Sequence, residues 1–166
     1  MIVLGLACAL SLALANPTSY LQCDNRWKDE KIGTSSYSIC NKGDLLTVIA
    51  MQASGCSIKI NNEFVNPQNL NAWLTKKGGY SDLNIEYKAL EKLNFIYKLD
   101  TNKISEVRNK FKYGYYEVAV QSKSNKWYAL TNFVIDRLFV IDPMGETSLM
   151  MNNEFKYAVV FYNSNC

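Results

Sequence analysis

The side chains of this 166-residue chain that could make or break bonds are carboxylates, lysines, tyrosines and five cysteines; histidine is absent. Histidine is the side chain whose ordinary pKa places its charge change between pH 5 and 8, so Ser–His and Cys–His nucleophile pairs and histidine-ligated metal sites are excluded. The thiols have a competing fate. Cys23, Cys40, Cys56 and Cys166 match no CxxC metal-knuckle spacing. As an even set of four they suit two disulfides, with three connectivities open. A bridge from Cys166, the last residue, would hold an end that otherwise frays.

The expected compartment agrees with that redox state. Ile2 to Leu14 is an uncharged apolar run ending in Ala13, Leu14 and Ala15 and followed by Asn16 and Pro17, the small-x-small pattern of a signal-peptidase site. The run is shorter than the roughly 20 residues that cross a bilayer. A signal peptide over residues 1–15 is therefore expected, with one domain over 16–166, secreted to the extracellular space or held in a secretory vesicle. It removes Cys8, and no membrane insertion is expected after cleavage. Eighteen Lys plus Arg against fifteen Asp plus Glu give a net charge of +3, which excludes a strong nucleic-acid footprint.

The elements that must position any site follow from periodicity. Leu45, Leu46, Val48, Ile49, Met51 and Ala53 are apolar on most sides, which predicts a central buried helix from near Asp44 to Gly55. Asn66 and Pro67 form an N-cap with proline at the first helical position, and Leu70, Trp73 and Leu74 give an apolar face before Gly78 and Gly79. A further helix is expected from about Ile85 to Leu93, a strand from Phe95 to Leu99, and a brief helix or turn from Lys103 to Lys110. Tyr116, Val118 and Val120 alternate with Glu117, Ala119 and Gln121; strands at Trp127–Thr131, Leu138–Ile141 and Tyr157–Tyr162 follow. Lys123, Ser124 and Asn125 turn the first hairpin. Helices first and an antiparallel sheet second make an α+β domain.

These features occur alongside a set of short motifs: Leu21, Gln22, Asp24, Arg26 and Trp27; Gly33; Ile39 to Met51; Val65, Asn66, Pro67, Leu70, Trp73 and Leu74; Gly78, Gly79 and Tyr80; Asn125 to Leu130; and Asp142-Pro143. In this order the chain resembles the C39-like cysteine peptidase family, a branch of the papain-like fold. The resemblance implies N-terminal helices packed on an antiparallel sheet. It also implies a nucleophilic cysteine opening the buried helix after a glycine, a histidine at the start of a central strand, an Asp before Pro, and a glutamine at the oxyanion hole. Those positions here hold Asp44, Lys126, Asp142 and Gln22.

An acid facing an amine cannot shuttle a proton near neutral pH, because lysine titrates near 10.4. The resemblance therefore implies a degenerate site and an inactive homologue that binds a peptide, a protein or a cell-surface component. Asp44 and Lys126 are expected to pair as carboxylate and ammonium in place of a thiolate–imidazolium pair; solvated replacements are the alternative. A working extracellular hydrolase of peptide or glycan bonds would need Cys40 as nucleophile or Asp44 and Asp142 as a carboxylate pair. A structural secreted protein is a third class. No cofactor or metal is expected, and the chain is expected to be a monomer. Trp73 and Trp127 are assigned to the core, while Trp27, Tyr113, Tyr115 and Tyr116 are the aromatic binding candidates. Lys103, Arg108, Lys110 and Lys112 are expected to form a solvated edge.

Overall fold

The computed structural model describes residues 17–166, so the expected signal peptide and Cys8 lie outside the described residues. Helix α1 (Ile39–Lys42) runs into α2 (Asp44–Gly55) across Gly43. A Cβ at Gly43 would sit 2.5 Å from the carbonyl oxygen of Ile39, so only glycine allows the two helices to meet this closely. Nine of the twelve α2 residues are buried, as the apolar run predicts for a helix enclosed on most sides.

Residues Lys59–Ile60 (β1) and Glu63–Phe64 (β2) form a small hairpin that leads into α3 (Pro67–Lys77). Asn66 caps α3 reciprocally: its side chain accepts from the Asn69 N–H at 3.0 Å, and the Asn69 side chain accepts from the Asn66 N–H at 2.8 Å. Gly78 closes the helix at φ 65°, a left-handed conformation suited to glycine. A second hairpin, β3 (Tyr80–Ser81) with β4 (Asn84–Ile85), precedes α4 (Tyr87–Leu90) and a single 3₁₀ turn at Glu91–Leu93. The helix expected from Ile85 to Leu93 is thus shorter. Ile85 pairs with Tyr80, Glu86 is extended, and Asn94 at φ 58° ends the segment.

The rest of the chain builds one antiparallel sheet. Its strands are β5 (Ile96–Thr101), β6 (Tyr116–Ser122), β7 (Trp127–Val134), β8 (Arg137–Ile141), β9 (Leu149–Met151) and β10 (Phe155–Tyr162), in the order β5-β10-β6-β7-β8-β9. Helix α5 (Ile104–Phe111) joins β5 to β6 and buries Val107 against Val118, Val120 and Leu130 on one face. On the other face Val48 and Met51 of α2 meet Ala119 and Ala129. The sheet is therefore covered on both sides, which explains why Glu117, on the polar side of the β6 alternation, is buried at 6% exposure.

Disulfides join Cys23 to Cys40 and Cys56 to Cys166, at sequence separations of 17 and 110. Among the described residues no helix is long and apolar enough to cross a membrane. Replacing Asn66 with alanine removes the reciprocal cap and is expected to lower stability by about 1 kcal/mol. Urea unfolding of Asn66→Ala and Asn66→Asp checks this: the aspartate variant, which retains a capping oxygen, should lose less.

Candidate functional site

The N-terminus of α2 opens into a cleft of about 530 Å³ lined by Gln22, Cys40, Asp44, Lys126, Trp127 and Asp142, among others. Each comes from a different local device. Asp44 heads α2, where the helix dipole favours negative charge. Its Oδ1 accepts from the Leu45 N–H at 2.9 Å, and its Oδ2 accepts from the Trp127 N–H at 3.1 Å, joining the helix to the start of β7. Burial raises the Asp44 pKa against these N–H donors, and Lys42 is the cation that acts on it.

Gln22 is buried and tied in from both ends. Its backbone N–H donates to Pro143 O at 2.8 Å, and its side-chain Nε2 donates to the carbonyl oxygens of Ile39 and Cys40, both at 2.9 Å. A primary amide nitrogen has two hydrogens, so both are engaged by backbone acceptors. Gln22 therefore lines the cleft without a free donor to aim at an oxyanion, contrary to the role implied by the resemblance. Asp142 is equally occupied: Oδ1 accepts from Met144 N–H at 2.8 Å and Oδ2 from Thr147 N–H at 3.1 Å. These bonds wrap the loop after β8 around the carboxylate in an Asx-type turn.

Three sequence-based expectations change at this point. Asp44 and Lys126 are not ion-paired: Lys126 Nζ lies 3.4 Å from Glu146 Oε2 and points outward, and Glu146 raises the Lys126 pKa. The place opposite Asp44 is taken by the backbone N–H of Trp127, the first residue of β7, one position after Lys126. Cys40 is not an available nucleophile, because its sulfur is bonded to Cys23. Trp27 is not an exposed binding residue either: it is 2% exposed, and its indole N–H donates to Leu21 O. Tyr113 and Tyr115 are exposed, and Tyr116 is half-buried.

Asp44 and Asp142 share the cleft, but all four of their carboxylate oxygens accept backbone N–H groups. These bonds give both carboxylates a structural role in holding backbone, and for Asp44 burial outweighs them and raises its pKa. A second cluster escaped the sequence reading. Cys56, Glu117 and Cys166 bring their sulfur and carboxyl atoms within 4.8 Å of one another, and the two sulfurs are joined as a disulfide. The polar alternation of β6 was its only sequence signal. No family model, no curated protein and no solved structure matches this chain.

The geometry separates the two charges that sequence spacing suggested were partners. Asp44→Ala leaves the Trp127 N–H without its acceptor and is expected to cost about 1–3 kcal/mol. Asp44→Asn, which keeps an acceptor, should recover part of that loss. Lys126→Ala should leave the urea midpoint unchanged, and Asp44→Ala should cost the same in either background. A strong dependence on residue 126 would show that the two side chains are coupled after all.

Proposed function

We propose that the chain is a secreted, catalytically inactive relative of the C39-like cysteine peptidases, with a papain-like arrangement, and that it holds a peptide segment in the cleft at the head of α2. The observation that carries this reading is the convergence of Gln22, Cys40, Asp44, Lys126 and Asp142 on one cleft. They are drawn from separate stretches of sequence, and four of them are the positions the family resemblance assigns to a catalytic site.

The chemistry of those side chains supports binding over turnover. A thiol peptidase needs a thiolate at a helix N-terminus and a neighbouring base that titrates near neutral pH. Here the helix begins with a carboxylate that accepts two N–H bonds, the lysine faces an exposed glutamate, and the glutamine amide is held by backbone carbonyls. Trp127 and Lys126 line the cleft, and an acidic side chain of an extended peptide would compete with the exposed Glu146 for the Lys126 ammonium. The two disulfides suit the oxidising compartment that the N-terminal sequence suggests.

Fluorescence polarisation with a library of end-blocked peptides tests the reading on the purified oxidised chain. Ser124→Trp, on the exposed turn at the cleft, should weaken capture at least about tenfold, equivalent to about 1.4 kcal/mol. Mass spectrometry should show every captured peptide intact. Cleavage abolished by Asp44→Asn would replace this reading with a carboxylate hydrolase, and absence of capture across the library would leave a structural protein.

A further inference from the structure

The disulfide at the far end of α2 has an unusual neighbour. Cys56 caps the C-terminus of the helix and is fully buried, whereas Cys166 is partly exposed. Glu117 on β6 holds a carboxyl oxygen within 4.8 Å of both sulfurs. Burial is what raises its pKa, to about 8, so the group carries a proton at neutral pH. Phe161 stands opposite it on β10, and the last turn of α2 carries no titratable side chain. Among the described residues no carboxyl joins Cys23 and Cys40 in a cluster of this kind.

We propose that Cys56–Cys166 is a thiol–disulfide exchange site whose co-reactant is a dithiol, with Glu117 as the proton donor to the buried leaving sulfur. The asymmetry in exposure sets the direction. A thiolate of the dithiol attacks Cys166 Sγ, the accessible sulfur, and forms a mixed disulfide. The Cys56–Cys166 bond breaks, and its electron pair goes to Cys56 Sγ. An anionic sulfur there would be strongly disfavoured by its buried surroundings. The Glu117 carboxyl proton passes to Cys56 as the charge develops, leaving a carboxylate that regains its proton from solvent. The second thiol of the reagent then displaces Cys166 and closes its own disulfide. The dithiol loses two electrons and the protein disulfide gains them, giving two protein thiols.

Reduction of the oxidised chain by dithiothreitol, quenched with iodoacetamide and read for each disulfide by mass spectrometry, tests the proposal. Cys23–Cys40 is the reference within the same molecule. At pH 7, Glu117→Gln should slow reduction of Cys56–Cys166 about tenfold or more relative to Cys23–Cys40, while Glu117→Asp should restore much of the rate. In the unmodified protein, the rate per dithiothreitol thiolate should be flat below pH 8 and fall above it, as Glu117 loses its proton. That break should be missing for Cys23–Cys40. An equal or faster relative rate in Glu117→Gln, or an unbroken profile in the unmodified protein, overturns the proposal. The profile alone decides it should Glu117→Gln fail to fold.

Discussion

Both sites depend on how closely α2 lies against the sheet. Val48 and Met51 reach the strands at Ala119 and Ala129, where short side chains leave room for the helix to approach. A larger residue at either alanine would have to displace a helix buried on nearly every side, and overpacking of this kind typically costs about 1–3 kcal/mol. The contact fixes the helix as a rod whose ends cannot be adjusted independently. At one end Asp44 meets the Trp127 N–H in the cleft; at the other Cys56 meets Cys166 and Glu117.

The cleft end shows how hydrogen bonds turn reactive residue types into supports. Each Gln22 bond to Ile39 or Cys40 is worth about 0.5–1.5 kcal/mol net, and both hold α1 against the segment that carries Cys23. The Cys23–Cys40 bridge ties the same two segments covalently. Turning the Gln22 amide toward a ligand would break both bonds, leaving Ile39 O with only the Gly43 N–H at 2.7 Å. That arrangement resists rearrangement, and it agrees with the proposal that the cleft holds its occupant without attacking it.

Helix α2 was readable because its apolar residues fall on most sides of a helix, and α3 because Asn66-Pro67 and Gly78 mark its ends. The segment after Tyr80 was misread because a two-residue strand at Asn84–Ile85 is too short for periodicity, whereas its effect is to remove a turn from the expected helix. The hairpin at Asn61-Asn62, where both residues have positive φ, went unread, although such an Asn pair suits a two-residue turn. In the cleft, residue membership was legible but hydrogen bonding was not. Lys126 and Trp127 are adjacent, yet the Lys126 side chain is directed at Glu146 while the Trp127 backbone N–H faces Asp44, and residue type and spacing carry no signal for a backbone donor. Glu117 was missed for a related reason: alternation gives two faces, and only tertiary packing shows that both are covered.

The burial of Glu117 also couples proton binding to folding. Its carboxyl has an ordinary pKa of 4.5 and is pushed up to about 8 in the fold, so the folded state holds the proton more tightly than the unfolded chain does. The associated stability is fully present below about pH 4.5 and is lost as pH rises through about 8; the loss reaches about 3 kcal/mol at pH 7. Opposing it is the neighbouring disulfide, which spans 110 residues and, in the chain-entropy view, stabilises by about 4.7 kcal/mol for a loop of this order. The two effects are comparable in size and act at the same end of α2. Reduction therefore removes the constraint that offsets the buried acid, and it does so where the acid can supply a proton to the sulfur being released.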